Sequence, residues 1–401
     1  MAKGNAVIGQ SGGPTSVINS SMAGVIEAAM ASPVIGDIYG MNYGIEGFMK
    51  EWLIDLGRQP SAVISGLRKT PSSALGSSRH KVKNEDLPEI LKVLKKYDIH
   101  YFFLIGGNDT MDTINRVEAY CRREGYDLTG VGIPKTVDND LFGTDHTRGF
   151  DSAARANILN VMQGGMLARD MKKVDQFVVY QTIGRDAGWL AASTAMAKRN
   201  DDDAPHLIYT PEHHFVTEKF LADADRCIKS YGWVSVVCGE GIKYPDGTPV
   251  SASAVKDKFS NTEFGAMGGA SAALNLHRMI TSEFGLRGEF QITESLIMSD
   301  FIRALPLDLS EAWQCGAEAV KLAEKGESGF MVTIERLSNE PYTTAFGKAP
   351  LNDVAVAAKP MPSEYFNEEG NFVSDAFRDY MKPLTGALPD FVRLEAIKVK
   401  K

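Results

Sequence analysis

The sequence has few cysteines and no long apolar run. Four cysteines are scattered over 401 residues, a spacing that indicates neither a disulfide framework nor a cysteine metal site. No stretch approaches the roughly 18 consecutive apolar residues of a membrane span. Gly9 and Gln10 follow the start too closely for the apolar core of a signal peptide. We therefore expect a cytoplasmic protein without a membrane partner.

Basic runs and the common nucleotide-binding motifs are also absent. Lysine and arginine total 43 against 51 acidic residues, giving a net charge of −8, and no long basic tract offsets this balance. Nucleic acid is therefore not an expected partner. The chain contains neither a Walker A loop nor a Gly-x-Gly-x-x-Gly fingerprint, so the familiar nucleotide modules are not supported.

What the sequence does contain is an alternation of short apolar runs with helical patterns. Its length exceeds that of one simple core, so two domains are expected. Strands are predicted at residues 6–8, 34–39, 101–105, 128–133, 174–180, 207–209, 234–237 and 330–334. Helices are predicted at residues 14–30, 85–96, 110–124, 150–167, 217–230 and 310–325. This order is typical of an α/β fold with parallel sheets covered on both faces.

Two loops that follow predicted strands carry groups suited to phosphoryl transfer. Residues 106–110 begin with two glycines, and residues 134–140 read Pro-Lys-Thr-Val-Asp-Asn-Asp. In open α/β sheets, ligands bind outside the carboxyl ends of strands, and the N-terminus of a following helix attracts an anion. A lysine for the phosphate, a metal ligand and a base for the incoming hydroxyl are the groups that this chemistry needs.

The opening loop, residues 10–16, is a third glycine-rich strand end. Gly12 and Gly13 allow close backbone approach, and Pro14 suits a first helical turn. Taken alone, this loop fits an ordinary strand-to-helix turn equally well. Three such strand ends on one sheet favour a phosphate site.

These segments together resemble the phosphofructokinase family in order and spacing. The matching segments are residues 11–14, Leu-Gly-Ser-Ser-Arg at 75–79, residues 106–109 and 134–140, and Ile-Gly-Arg at 183–185. The likeness is strong over about residues 5–190 and thinner through Gly239-Glu240-Gly241 to Arg287. It implies two Rossmann-like, doubly wound domains of mostly parallel sheet that face each other across a cleft. It further implies homodimers or homotetramers and transfer of a phosphoryl group to the 1-hydroxyl of fructose 6-phosphate, in glycolysis or gluconeogenesis.

The resemblance also assigns domains. Residues 1–148 would bind the phosphoryl donor and the metal, and about 296–345 would complete that domain. Residues 149–295 would bind the sugar phosphate. Residues 346–401 are expected to form a C-terminal extension of surface structure.

Roles for single residues follow from the matching motifs. Asp138 resembles the general base, and the catalytic group also includes Lys135, Asp109 and Arg185. The substrate-binding group implied by the resemblance is Gly13, Thr136, Val137, Ile183, Gly184, Arg185, Glu240 and Arg287. Asn108 and Asp140 match the Mg²⁺ positions. Arg287 would meet the 6-phosphate, although a solvated arginine at a helix end is the plain alternative.

Two side chains bear on the phosphoryl donor. Members of the family that use ATP have glycine where this chain has Asp109 and Lys135. A carboxylate at Asp109 would crowd and repel an α-phosphate, whereas pyrophosphate has no nucleotide tail. Lys135 adds positive charge beside the transferring phosphates. The pair resembles the pyrophosphate-dependent branch of the family.

The sequence also departs from the family pattern. Asn108 replaces an aspartate, although Mg²⁺ prefers carboxylates, and Ile183 replaces a methionine. The family's Gln-Arg pair should fall near Ile297 and Met298, and Gln176 stands where many members have a basic residue that reaches a neighbouring subunit's substrate. Open alternatives are therefore an ATP-dependent enzyme, a kinase for another phosphosugar such as sedoheptulose 7-phosphate, and a non-catalytic partner subunit.

Overall fold

The computed structural model of the chain describes residues 4–78, 80–251, 271–356, 358–395 and 397–399. Arg79, part of one matching motif, lies outside the described residues. The strands are β1 Gly4–Gln10, β2 Ile35–Met41, β3 Leu53–Asp55, β4 Ile99–Gly106, β5 Thr129–Thr136, β6 Arg148–Gly149, β7 Phe177–Thr182, β8 Leu207–Tyr209, β9 Val234–Gly239, β10 Gly288–Ile292, β11 Phe330–Asn339 and β12 Tyr342–Pro350. The α-helices are α1 Ile18–Ala31, α2 Gly44–Met49, α3 Ser61–Leu67, α4 Leu87–Lys96, α5 Asn108–Arg123, α6 Phe150–Met171, α7 Trp189–Ser193, α8 Thr217–Tyr231, α9 Ala272–Phe284, α10 Pro306–Glu324, α11 Leu351–Val356 and α12 Asp375–Met381.

The first sheet has the strand order β12-β11-β5-β4-β1-β2-β3, and β6 pairs with β5. Its central strands are parallel, whereas β3 and β12 are antiparallel additions at the two edges. Apolar clusters cover both faces of this sheet. The burial of both faces explains why β1, β4 and β5 are nearly continuous apolar runs in the sequence.

The second sheet has the order β10-β7-β9-β8, and all its pairs are parallel. One face packs on a cluster that includes α6 and α7, and the other on a cluster that includes α8 and α9. Since β11 and β12 return to the first sheet, the second sheet is an insertion between β6 and β11 in chain order. The two sheets form the α/β arrangement that the sequence predicts, and the exact domain limits stay a prediction.

Local differences from the predicted elements have simple causes. The eight predicted strands are present, and β5 extends to Thr136, so Lys135 lies at a strand end rather than in the following loop. Helix α1 begins at Ile18, not at Pro14, which stays in the preceding loop. The sequence prediction missed β3, β6, β10 and β12. β3 and β6 are only three and two residues long, and in β10 and β12 polar residues interrupt the apolar ones, so none of the four has a long apolar run.

The expectation that residues 346–401 form only extra surface structure is wrong. Phe377, Tyr380, Met381 and Leu384 are buried in the same cluster as Trp189. The rings of Trp189 and Tyr380 lie 5.6 Å apart between centroids. These residues belong to short elements, and their apolar side chains lack the long periodicity by which a buried helix or strand is recognised.

A buried charge cluster joins the start of α6 to α10. Arg148 is fully buried and donates to Glu311 at 2.5 Å, and it lies 3.4 Å from Asp308. Burial alone raises the pKa of Glu311, but the Arg148 guanidinium and the hydrogen bond with His146 lower it to about 2. His146, Asp151 and Glu311 lie close enough together for metal ligation. The Arg148 cation already pairs with Glu311 and lies 3.6 Å from Asp151, so we assign no metal there.

Two further findings concern the expected location. No helix in the described part of the chain is both long and apolar enough to cross a membrane. All four cysteines are described, and none of them forms a disulfide.

Candidate active site

The three glycine-rich strand ends lie side by side, as the sequence predicts. Strand β4 lies between β1 and β5 in the first sheet. Gln10 pairs in register with Ile105, and Gly106 pairs with Pro134. The opening loop, the start of α5 and the loop after β5 therefore meet at one edge of the sheet.

The opening loop presents its backbone to this edge. Gly12 has a φ of +74°, and a Cβ there would lie only 3.0 Å from the Lys135 Nζ. The Gly12 carbonyl accepts from the Ser77 hydroxyl at 2.5 Å, and the Gly13 carbonyl accepts from the Lys135 Nζ at 3.0 Å. A side chain at position 12 would therefore strain the backbone and press on the lysine.

Gln10 and Asn19 hold a second loop against this one, and sequence reasoning missed both. The Gln10 Nε2 donates to Asn19 Oδ1 at 2.8 Å. The Gln10 Oε1 accepts from the hydroxyl of Ser73 and the backbone N–H of Leu75, at 2.8 and 3.0 Å. Both side chains are fully buried. The available signal was two polar residues in otherwise apolar stretches, where a buried amide needs partners.

The N-terminus of α5 points a further set of N–H groups at the same edge. The helix follows Gly107, which has no side chain to cap it, so its first N–H groups suit an anion such as a phosphate. Asp109 lies in this first turn with 74% of its side chain exposed, and it pairs with Lys81 at 3.2 Å. Sequence reasoning did not single out Lys81, a cation outside the matched motifs.

Lys135 is the cation at the centre of the site. It is 3% exposed, and burial lowers its pKa to about 8 against the opposing effects of Asp138 and Asp140. Its Nζ reaches the carbonyl of Gly13, so it bridges the loop after β1 and the end of β5. A phosphate that binds between these loops would meet a desolvated positive charge.

Asp138 has the environment of a general base. Its backbone N–H donates to the Thr136 hydroxyl at 3.1 Å, whereas its buried Oδ1 has no hydrogen-bond partner among the described residues. Burial and the carboxylate of Asp140 raise the pKa of Asp138, and Arg185 and Lys135 oppose them. A base whose pKa moves toward neutrality accepts a proton more readily.

Asn139 fixes the backbone of this loop, a role not seen in the sequence. It is fully buried and has a φ of +55°. Its Oδ1 accepts from the backbone N–H of Thr147 at 3.0 Å, and its Nδ2 donates to the hydroxyl of Tyr380 at 3.1 Å. These bonds compensate for a left-handed conformation that asparagine tolerates better than most residues.

Gly184 and Glu240, which the sequence predicts to bind the sugar, lie at the carboxyl ends of β7 and β9. The N–H of Gly184 donates to Glu240 Oε1 at 3.2 Å. Gly184 has a φ of +122°, and a Cβ there would lie 2.8 Å from the carbonyl of Ala187. Burial raises the pKa of Glu240 to about 7. Arg185 is exposed, and Ile183 packs on the buried cluster.

Arg287 does not join the other residues within one chain. It immediately precedes β10, next to Gln176 at the start of the parallel strand β7, whereas Glu240 follows the opposite end of β9. Its side chain is 77% exposed and pairs with Asp175 at 2.8 Å. Within a single chain, Arg287 therefore fits the alternative interpretation, a solvated arginine that does not bind the 6-phosphate.

Residues 297 and 298 pack rather than present a cation. Ile297 is buried, and the Met298 side chain covers Gly13, where a Cβ would lie 2.2 Å from the methionine Cε. Arg303 donates to Asn160 and Asp300, at 2.9 and 3.0 Å. None of these three positions supplies the missing phosphate arginine.

The oxygen donors at the first sheet suit Mg²⁺. Asp140 is close enough to Asp138 to raise its pKa, and Thr136 donates a hydrogen bond to Asp140. Asn108 adds an amide at the neighbouring strand end. Mg²⁺ in phosphoryl-transfer sites is held by one or two carboxylates together with substrate phosphates, so the residues fit this ion.

Comparisons with known proteins agree with this geometry. A sequence model described as phosphofructokinase matches residues 5–322. A pyrophosphate–fructose 6-phosphate 1-phosphotransferase from Halomonas elongata is 36% identical over 391 residues, covering 96% of this chain and 92% of the relative. A sulfofructose kinase from Alkalicoccus urumqiensis is 30% identical over 368 residues, covering 90% and 91%. The crystal structure of a pyrophosphate-dependent phosphofructokinase from Marinobacter aquaeolei matches with a TM-score of 0.86 and 33% identity, over 98% of this chain and 94% of that one.

Proposed function

The chain belongs to the phosphofructokinase family, and we propose that it transfers a phosphoryl group from pyrophosphate to the 1-hydroxyl of fructose 6-phosphate. The products are fructose 1,6-bisphosphate and phosphate. The exchange of a phosphoanhydride for a phosphate ester is closer to balance with pyrophosphate than with ATP, so we expect a reversible reaction. Its setting would be glycolysis or gluconeogenesis.

The observation that carries this proposal is the presence of both Lys135 and Asp109 at the donor loops. Lys135 is buried between the loop after β1 and the end of β5. Asp109 stands exposed at the first turn of α5, on the outer side of the same edge. A short anion can bind the N–H groups and the lysine, whereas a nucleotide tail would have to pass a carboxylate.

The chemical step needs one base and one stabilising cation. Asp138 accepts the proton of the 1-hydroxyl, and the freed oxygen attacks the nearer phosphorus of pyrophosphate. A new P–O bond to the sugar forms, the bridging P–O bond breaks, and phosphate leaves with the bridging oxygen. Lys135 and the first N–H groups of α5 hold charge on the phosphates, which is the main contribution that a protein makes to this reaction.

Asp140 and Asn108 would hold the metal, and a bound Mg²⁺ would neutralise negative charge shared by the two phosphates. Thr136 keeps Asp140 oriented through its hydroxyl. Activity should therefore be lost on chelation and return with Mg²⁺.

On the sugar side, Gly184, Arg185 and Glu240 would bind the acceptor. Arg185 lowers the pKa of both Asp138 and Glu240, so its charge is close enough to act on the base and on the carboxylate proposed to bind the sugar. Thr136 and Val137 would line the path between donor and sugar.

A second acceptor is favoured by one specific feature. The sequence holds no arginine between Arg287 and Arg303, and residues 297 and 298 pack inward. A sugar whose anionic group sits farther along the chain, such as sedoheptulose 7-phosphate, or is of a different kind, as in a sulfonated fructose, is the second candidate.

We also infer a homodimer or homotetramer in the cytoplasm. Leu296, Phe301 and Ile302 are 79%, 64% and 81% exposed, a cluster that another protein surface would cover. Arg287 could then reach a neighbouring copy's site. Light scattering during size exclusion tests the assembly, and a monomer that is fully active would contradict it.

The deciding experiment assays purified protein with pyrophosphate or ATP against a panel of sugar phosphates and sulfonated fructose. We expect phosphoryl transfer from pyrophosphate to fructose 6-phosphate, and its reversal from fructose 1,6-bisphosphate and phosphate. Activity with ATP alone would contradict the donor assignment. Inactivity with every pair would favour the non-catalytic subunit.

A further inference from the structure

Lys359 lies between the two halves of the candidate active site. It comes from residues 323–401, beyond the region that the family's sequence model matches. Its neighbour Ala358 forms an antiparallel bridge with Leu141, directly after the catalytic loop. A part of the chain that no motif marked therefore contacts the loop that carries the base.

Lys359 makes three hydrogen bonds to that loop. Its backbone N–H donates to the carbonyl of Asp140 at 2.7 Å. Its Nζ donates to the carbonyls of Thr144 and Asp145, at 3.0 and 2.8 Å. Two of the three N–H groups of the ammonium thus donate to backbone oxygens, so the side chain is held against residues 144 and 145.

The same residue also contacts the sugar side. Its carbonyl accepts from the Trp189 Nε1 at 3.2 Å, and its Nζ lies 4.9 Å from the centre of that ring. Trp189 starts α7, four residues after Arg185. Met361, two residues after Lys359, makes a second link to this segment. The backbone N–H groups of Met361 and Gly188 both donate to Glu212 Oε1, at 3.3 and 2.8 Å.

We propose that Lys359 is a positioning residue that sets the distance between the base loop and the sugar-binding segment. The proposal rests on the proposed function, because it assigns a role within that reaction. A displacement of about 1 Å between reacting groups can lower a rate by roughly a hundredfold. A side chain that ties residues 140–145 to Trp189 acts on that distance without touching substrate.

The test compares Lys359→Met with a matched control, Lys198→Met. Lys198 is built in the same way, since its Nζ donates to the carbonyls of Asp201 and Asp203 at 2.5 and 3.0 Å and lies 5.9 Å from the ring of Tyr231. We expect Lys359→Met to lower kcat by about 10- to 100-fold, with each KM changed by less than about threefold. Lys198→Met should keep kcat. Lys359→Arg, which keeps a charged donor, should restore most of the loss.

Several results would overturn the proposal. Unchanged kcat in Lys359→Met removes Lys359 from the reaction. A raised KM with unchanged kcat makes it a binding residue instead. An equal loss in Lys198→Met, or no rescue by arginine, reduces the effect to general destabilisation. If Lys359→Met does not fold, Lys359→Gln takes its place, because glutamine keeps a donor without the charge. The same changes in kcat and KM relative to the wild-type protein are then expected.

Failure of the proposed function is visible separately. The wild-type protein is first assayed with each donor and acceptor, and the variants are then compared with whichever pair it uses. If pyrophosphate is inert but ATP is active, the donor assignment fails while the kcat ratio for Lys359 remains decisive. If no pair is active in the wild type, the positioning role fails together with the catalytic function.

Discussion

Asn139 and Tyr380 are joined by a hydrogen bond of 3.1 Å across 241 residues of sequence. The tyrosine hydroxyl also donates to the carbonyl of Asp145 at 3.0 Å. The loop that bears Asp138 and Asp140 is thus held at Asn139, between the two aspartates, and again at Asp145 by one side chain of α12. The strained φ of Asn139 persists because its amide has partners on each side.

Replacing Tyr380 by phenylalanine should destabilise this loop. The change leaves the Asn139 Nδ2 without this buried partner and the Asp145 carbonyl with the Lys359 Nζ alone, at a cost of about 1–3 kcal/mol. Thermal or urea unfolding measures it. Tyr365→Phe is the control, because Tyr365 belongs to the same ring cluster and its hydroxyl makes no hydrogen bond to any residue that the structure describes. Equal stability of the two variants would contradict a stabilising role for the hydrogen bonds of the Tyr380 hydroxyl.

Asp138→Asn should leave folding and substrate binding nearly intact while lowering turnover by roughly 10²–10⁴-fold, as expected for a positioned base. Asparagine has nearly the same shape but cannot take the hydroxyl proton. Circular dichroism checks the fold, and initial rates at saturating substrates check turnover. A variant that keeps near-full turnover would remove Asp138 from the mechanism.

Lys135→Met should affect turnover more than binding. Methionine keeps the length of the side chain but removes the charge that stabilises the transferring phosphates. Loss of one such stabilising group costs about 10²–10³ in kcat, and the KM for pyrophosphate should rise far less. Steady-state kinetics separates the two. A large rise in KM at constant kcat would show that the lysine binds the ground state only.

Glu311→Gln should lower the free energy of unfolding by the part that depends on the ionised carboxylate of Glu311 and is lost in acid. The pKa of Glu311 is about 2 in the folded chain against 4.5 as the ordinary value. A lowered folded pKa stabilises the fold above pH 4.5, and this stability is lost as the pH falls from 4.5 toward 2. At pH 7 the variant should be roughly 3 kcal/mol less stable, since one pKa unit is worth about 1.4 kcal/mol.

The measurement is urea unfolding of both proteins between pH 7 and the lowest pH at which they fold. The difference between their free energies of unfolding should become smaller as the pH falls below about 4.5. Glu318→Gln on the same helix is the control, because its partner Lys321, at 2.9 Å, is exposed and such pairs contribute about 0–1 kcal/mol. A difference in the free energy of unfolding that stays constant with pH would contradict the stabilising role of the ion pair between Arg148 and Glu311.

The sequence predicted the strand ends of the site because local patterns carry them. An apolar run followed by glycines marks the end of β4 without knowledge of distant residues. Lys359 and Tyr380 could not be predicted in this way, because their contacts are with residues far along the chain. Arg287 was predicted to meet the sugar phosphate, but it lies at the opposite end of the second sheet from Glu240, because it precedes the parallel strand β10, which the sequence prediction missed.

Asp109→Gly tests the donor most directly. The exposed carboxylate pairs with Lys81 at the first turn of α5, where the α-phosphate of a nucleotide would pass. Removing it lifts the repulsion and frees Lys81, so ATP should begin to compete with pyrophosphate and to support slow transfer.

Glycine also weakens the helix by up to about 1 kcal/mol. Asp112→Gly, on the same helix and paired with Arg116 at 3.8 Å, carries that cost without touching the donor edge, so it should leave donor choice unchanged. Competition is measured as the inhibition constant of ATP against pyrophosphate in each variant. If wild-type protein already runs on ATP with pyrophosphate inert, or if Asp112→Gly admits ATP as well as Asp109→Gly does, the carboxylate of Asp109 does not select the donor.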